Sequence, residues 1–270
     1  MSGEERAIAA SAAPVTRATL GDDLGRLGVR PGSVLLAHSS VSALGWVCGG
    51  AQAVVEALLD ALGAEGTLVV PTHSGGNSEP SQWRNPPVPE DWWPVIRATM
   101  PAFDPAVTPS GHVGAVPEVA RTWPGARRSA HPQVSFAAIG PQAEAVTGGH
   151  ALDSGFGERS PLARIHDLDG DVLLLGVGHA SNSSLHLAEH RVPDPPRERS
   201  AAAVATPAGR RWVSWENVVA DERDFEELGA DFDATGRTRA GRVGEGKARL
   251  MRERELIEFA AGWMREHRGA

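Results

Sequence analysis

Apolar and polar positions along this chain follow two periods, and the changes of period mark its elements. In TLGDDLGRLGV, Leu20, Leu24 and Leu27 recur at helical spacing and end at Gly28, with Pro31 and Gly32 as the turn. SVLLAHSS is different: a short apolar run that breaks into polar residues, the form of a central strand that delivers its carboxyl end to a site. GGAQAVVEALLDALGAEG returns to the helical period, with Val54, Val55, Leu58, Leu59 and Leu62 inward between Gly49-Gly50 and Gly63. TLVVPTH is the next strand, and SFAAIG and DVLLLGVG extend the set. A strand, helix and strand so tightly joined predict a crossover and a largely parallel sheet. Between the early and late strands, the segment from Ser74 to Gly114 is rich in Pro, Gly and Trp, the composition of a lid or binding loop.

After Arg191 the character changes. AAAVAT and RWVSWENVV read as antiparallel strands around a turn at Pro207 to Gly209, followed by an acidic stretch. In EGKARLMRERELIEFAAGWMREHR, Leu250, Leu256, Ile257, Ala260, Trp263 and Met264 recur every three to four residues and predict a helix with one apolar face. That face docks onto its own sheet or onto a second copy, so monomer and homodimer both stay open. With no internal repeat and no linker, the expectation is one α/β domain over residues 1–270. It has a largely parallel central sheet, a smaller antiparallel C-terminal part, and disorder over residues 1–16.

Composition narrows the partners. A chain of 270 residues lies within the reach of one core. No run approaches the ~18 apolar residues of a membrane span, and MSGEERAIAASAAPVTR puts acids where a secretory signal needs positive charge, so a cytoplasmic protein is expected. The single Cys48 excludes a disulfide framework and a thiolate-rich metal site. A net charge of −8 with Lys247 as the one lysine argues against a nucleic-acid partner and favours a cationic substrate.

The sharpest motif lies in GHASNSSLHLAEHR, where His186, Glu189 and His190 spell H-x-x-E-H. On a helix, two histidines at i and i+4 with the acid between them suit a zinc hydrolase. That reading needs a third ligand the sequence does not identify, and the prolines of RVPDPP stop the helix. Gly176 and Gly178 imitate part of a nucleotide fingerprint, but a tight turn explains them too. The other reading moves a proton. The carboxyl ends of parallel strands share one edge, so Ser39, Ser40, Thr72 and His73 can meet the loop to His186. A histidine base, the Glu189 carboxylate to orient it and hydroxyl or N–H donors for an oxyanion make the inventory of acyl transfer. The plain reading, a core histidine with serines as helix caps, uses the same residues. RRSAHPQVSF gathers Arg127, Arg128, Ser129, His131 and Ser135, donors suited to phosphates or a pantetheine amide, or an ordinary basic loop. DERDFEELGADFD carries Asp221, Glu222, Asp224, Glu226, Glu227, Asp231 and Asp233, a solvated face or a rim for a polycation.

Taken together, the run from LGVRPGSVLLAHSS to TLVVPT, RRSAHPQVSFAAIG, GERSPLARIHDLDGDVLLLGVGHASNSSLHLAEHR and RLMRERELIEFAAGWM resemble the aminoglycoside 3-N-acetyltransferases of the antibiotic acetyltransferase family. The resemblance covers nearly the whole chain and implies a three-layer α/β/α sandwich. It implies acetyl-CoA as donor, no metal, and a polycationic aminoglycoside acetylated on its 2-deoxystreptamine ring. Residue by residue, it implies His186 as general base with Glu189 as its acid. It assigns His38, Ser39, Ser40, Thr72, Thr108, Pro109, Ser110, Gly111, Arg128, Ser129, His131 and Ser135 to the CoA side. Glu79, Asp221 and Asp224 are expected to face the substrate, and His190 has no part. A same-fold N-acetyltransferase acting on another amine remains the alternative.

Overall fold

The computed structural model describes residues 3–268. Among these described residues nine strands are formed: β1 Val34–Ser39, β2 Thr67–Pro71, β3 Arg127–Arg128, β4 Phe136–Ile139, β5 Asp171–Leu175, β6 Arg197–Thr206, β7 Gly209–Val218, β8 Arg239–Val243 and β9 Gly246–Arg252. Seven of them make one sheet in the order β3-β4-β2-β1-β5-β9-β8, and β6 and β7 pair as a separate hairpin.

The centre of the sheet is parallel. β1 lies between β2 and β5 and runs with both, Leu35 opposite Leu68 on one side and Asp171 on the other. Successive side chains of β1 then go to opposite faces. Leu35 and Ala37 enter one core with the helices Arg17–Leu27, Gly50–Leu62 and Ala115–Arg121. Val34 and Leu36 enter the other, against Pro161–Asp167, Leu185–Glu189 and Glu253–His267. The result is three layers, with both faces of the central strands removed from water.

Two segments differ from what their patterns predict. SFAAIG does not extend the parallel set: β3 runs in the direction of β2, and β4 returns between them antiparallel to both. A hairpin turn at 129–135 reverses the chain, which period-2 patterning cannot reveal. GKARLMR, expected as the start of the last helix, is instead β9, paired antiparallel with β5, and the helix begins at Glu253. Over Gly246 to Leu250 the more exposed Lys247 and Arg249 alternate with the buried Gly246, Ala248 and Leu250, a strand period that the apolar helix pattern beyond it masks.

Disorder expected over 1–16 falls partly on residues 1 and 2, outside the described residues. From Gly3 to Ala10 the chain is helical, and the next residues are tied down. Ser11 Oγ accepts the Trp46 amide at 2.8 Å, and Val15, 6% exposed, exchanges backbone bonds with Trp46 and Cys48. The first long helix is capped as its sequence asks: Thr16 and Thr19 bond reciprocally, and Gly28 ends it at a φ of +101°, where a side chain would be strained. The Trp-rich segment is stapled to the hairpin. Asn77 bonds both the N–H and the C=O of Ala203, and the Phe103 amide donates to the same carbonyl. Among the described residues no helix is long and apolar enough to cross a membrane.

Leu36 is fully buried at the middle of the sheet. Leu36→Ala is expected to lower unfolding free energy by about 2–5 kcal/mol, read from denaturant titration; a loss below about 1 kcal/mol would contradict this placement.

Candidate active site

Because β1 is flanked by β2 on one side and β5 on the other, the chain leaves it in opposite directions and a crevice opens beyond its carboxyl end. A cleft of about 760 Å³ lies there. Its wall takes His38, Ser39 and Ser40 from the end of β1 and His73 from beyond β2. Asn182 and His186 come from the chain after β5.

His186 sits on the one-turn helix Leu185–Glu189, every residue of which is buried. Its Nδ1 is 2.8 Å from Glu189 Oε2. A carboxylate only accepts, so the hydrogen is assigned to Nδ1 and the lone pair to Nε2. Phe156 stacks on the imidazole at 4.5 Å and Phe225 tilts against it at 4.8 Å, fixing the plane of the ring. Glu189, 3% exposed, is held from its other oxygen: Oε1 accepts from Arg268 Nη1 at 2.7 Å and from the Asp221 amide at 3.1 Å. This is an imidazole with an oriented ring and an assigned tautomer, the arrangement a general base requires.

The zinc geometry does not form. The helix stops at Glu189, so His190 is its cap rather than the far ligand of a pair, and packs close to Gly157. Both Glu189 oxygens are engaged, and among the described residues no three His, Cys, Asp or Glu side chains are arranged so that they could hold a metal ion. The glycines after β5 serve packing. A Cβ on Gly176 would lie 2.7 Å from that of Ala43, and one on Gly178 would run into Glu226.

Several residues expected on the CoA side lie behind the cleft wall. Ser129 and His131 are 1% and 0% exposed. Ser129 Oγ accepts the Phe136 amide and pairs with His150 Nδ1, both at 2.9 Å. His131 Nδ1 accepts the amides of Gln133 and Val134, and its Nε2 donates to Leu152 O, which folds the hairpin turn between β3 and β4. Arg128 directs its donors to oxygens of the scaffold: Nε to Thr72 and Ser135, Nη2 to the Thr72 carbonyl, and Nη1 to the Thr108 carbonyl. Burial pushes its pKa down to about 10. Thr72 and Ser135 bond each other at 3.1 Å and are closed to solvent. Ser110 bonds Glu118, and the Gly111 amide donates to His73 O, so Pro109 and its neighbours anchor the loop whose next residues, His112 to Ala115, do line the cleft.

The three carboxylates expected to meet substrate are engaged elsewhere. Glu79 is bonded by Arg97 Nε at 3.1 Å, Asp221 pairs with Arg223 at 2.9 Å, and Asp224 takes Arg268 Nε at 2.8 Å. None lines the cleft; Glu222 does. Sequence reasoning also passed over Asn182, His112 and Phe156. Asn182 and His112 stood inside noted blocks, but nothing along the chain announces that Phe156 will stack on His186.

The chain has clear relatives. The family model for aminoglycoside 3-N-acetyltransferases matches residues 36–265. The chain is 39% identical to the SPbeta prophage-derived aminoglycoside N(3')-acetyltransferase-like protein YokD of Bacillus subtilis, over 93% of this chain and 92% of that one. The crystal structure of YokD superposes with a TM-score of 0.96 at 36% identity, covering 98% of this chain and all of that one. A structure described as AAC-IIIb binary with CoASH has a TM-score of 0.85 at 31% identity, covering 94% and 97% of the two chains. One of AAC-VIa bound to sisomicin has a TM-score of 0.86 at 30% identity, covering 96% and 100%.

At and behind the cleft wall three histidines, His38, His73 and His131, are kept neutral. Burial, then the neighbouring His186, pushes His38 and His73 down to about 3, and burial pushes His131 down to about 4. In the unfolded chain each takes a proton near pH 6.5, while in the folded protein it does not. Their contribution to stability is therefore complete above about pH 6.5 and lost as pH falls towards about 3–4, with a slope of up to ~1.4 kcal/mol per pH unit for each. The denaturant midpoint is expected to fall steadily over that window. A midpoint that stays flat below pH 6.5 would show that these groups are not held neutral.

Proposed function

The chain belongs to the aminoglycoside 3-N-acetyltransferase family of acyltransferases, and from that membership we propose that it moves the acetyl group of acetyl-CoA to the 3-amino group of an aminoglycoside's 2-deoxystreptamine ring. The observation that carries the reading is the His186–Glu189 pair at 2.8 Å, at the wall of a cleft large enough for a thioester arm and an amino sugar to meet. That solved relatives hold CoASH or sisomicin supports both substrates.

In this reading the amine lone pair attacks the thioester carbonyl carbon and a C–N bond forms. The proton leaves nitrogen for His186 Nε2, and Glu189 steadies the resulting imidazolium. The negative charge on the carbonyl oxygen is met by Ser39, whose buried Oγ has no other partner, or by backbone N–H groups beside it. As the tetrahedral species collapses the C–S bond breaks, and the imidazolium returns the proton to the thiolate. The products are an amide and CoA.

Ser40 and the 112–115 loop flank the donor arm, and Arg128, Thr72 and Ser135 hold that loop from behind. Glu222, the one carboxylate in the cleft lining among the described residues, meets an ammonium of the acceptor. Acetylation removes a positive charge from the drug, so the biological role we assign is resistance, exercised in the cytoplasm where acetyl-CoA is made.

Release of CoA thiol is the test, with gentamicin, kanamycin, neomycin and apramycin offered separately. Turnover is expected with at least one of them. No release with any, while acetyl-CoA still raises the melting temperature, would assign the site to a different amine. His186→Gln is expected to cost about 10²- to 10⁴-fold in kcat and to leave CoA binding intact; full activity would remove the base assignment. For Glu222→Gln the expected change is a higher KM for the drug and a flatter salt dependence, and an unchanged KM would place the ammonium elsewhere.

A further inference from the structure

We infer that Arg268 is a positioning residue of this active site, holding Glu189 and, through it, the plane and tautomer of His186. The inference rests on the acetyltransferase reading and extends it to the last turn of the last helix.

The helix Glu253–His267 starts beside the beginning of β5, where the Glu253 amide bonds Gly170 O. Fifteen residues of helix span about 22 Å, enough to cross the sheet to its carboxyl edge. Leu256, Ile257, Ala260 and Met264 bury the helix against the second core, so its end has a fixed place. Arg268, which caps that end, then reaches two elements of the site at once. Nη1 donates to Glu189 Oε1 at 2.7 Å, and Nη2 to the Asp221 carbonyl at 2.7 Å. Nε and Nη2 together take both oxygens of Asp224, at 2.8 and 2.5 Å. Burial opposes the charge of the guanidinium, but its bonds to Asp224 and Glu189 outweigh that and hold it more firmly protonated than a free arginine.

A carboxylate as buried as Glu189 is costly unless its charge is paired. The histidine supplies one donor, and a neutral imidazole leaves the charge unbalanced. Arg268 balances it and pulls on the oxygen opposite the one that faces His186, so the carboxylate cannot rotate away from the ring. It also limits how strongly Glu189 favours the imidazolium. The other charged or titratable groups around His186 are His38 at the end of β1, His73 beyond β2, His190 after its own helix, Asp221 and Asp224 behind Glu189, and Glu222 across the cleft. None of them donates a hydrogen bond to Glu189 from a cationic side chain, as Arg268 does.

Loss of Arg268 has two consequences. Glu189 swings, which lowers kcat, and its unbalanced charge makes His186 easier to protonate, which moves the acidic limb of the kcat/KM profile to higher pH.

The experiment compares Arg268→Ala, Arg268→Lys and Asp224→Asn with the unaltered enzyme. Arg268→Ala is expected to lose about ten- to a hundredfold in kcat with little change in KM, the scale seen when an outer partner of a functional histidine is removed. Its acidic limb should move to higher pH, and Arg268→Lys should restore most of both. Asp224→Asn leaves Glu189 its partner and loosens only the arginine, so the same changes should appear at smaller size. A second readout needs no turnover: the Nδ1 proton of His186 in the NMR spectrum of the free protein, assigned by its loss in His186→Gln. It should be sharp in the unaltered protein and in Arg268→Lys, and broadened or absent in Arg268→Ala.

An Arg268→Ala protein that melts normally and keeps its kcat, acidic limb and Nδ1 signal would overturn the inference. If that variant does not fold, an unchanged profile and signal in Asp224→Asn would overturn it. An enzyme inactive on every aminoglycoside but with an Nδ1 signal that depends on Arg268 would sink the substrate reading and leave this one standing.

Discussion

Burying both faces of β1, β2 and β5 leaves this molecule one place for polar chemistry near its centre, the ends of those strands. Helices cover the Leu35 and Leu36 faces alike, so the middle of these strands is apolar and closed to water. At the carboxyl end the constraint lifts. There the strands turn polar within one residue, at His38, Ser39 and His73, and the reversal of chain direction around β1 opens the cleft. The hairpin of β3 and β4 and the pair β8 and β9 widen the sheet without disturbing this edge.

A polar site in so dry a setting requires a scaffold of satisfied hydrogen bonds behind it. Among the described residues Arg128 has no carboxylate hydrogen-bond partner, and it is charged against carbonyl and hydroxyl oxygens of Thr72, Thr108 and Ser135. Those bonds fix the loop from Asp104 to Ala115 against the end of β2. The block RSAHP is therefore a hairpin turn held by His131 and Ser129, with Arg128 bracing the loop beside it. Such residues look like ligand contacts in a sequence because the same donors serve either purpose.

At the front of the site, Glu189 joins three parts of the chain that are far apart in sequence: the helix of His186, the acidic segment at Asp221 and the terminal helix at Arg268. Its burial makes these partners mutually dependent, since removing one leaves a buried charge or an empty donor. This explains why Asp224, expected in the substrate rim, turns inward to the arginine. A guanidinium that must hold Glu189 in place is steadier with a second carboxylate at its other edge.

Much of this was legible along the chain. The helices Arg17–Leu27 and Gly50–Leu62, the central strands and the H-x-x-E element arise from periodicity, and the pairing of His186 with Glu189 needs only one helical turn. Local rules reached as far as local contacts do. They missed that β4 runs backwards, because a strand buried on both faces shows no direction, and they read β9 as helix because the apolar residues beyond it set the period. They could not show that Glu222 lines the cleft while Asp221 and Asp224 pair with arginines, because that depends on which way each side chain of one acidic run points. Nor could they find Phe156 on His186 or Arg268 on Glu189, contacts across 30 and 79 positions. The sequence by itself determined the helices Arg17–Leu27 and Gly50–Leu62, the central strands and the pairing of His186 with Glu189, since these depend on neighbours within a turn or a strand. Only the tertiary structure decided which carboxylate lines the cleft and what holds the His186 ring in place, because burial makes every polar group depend on partners that arrive from elsewhere in the chain.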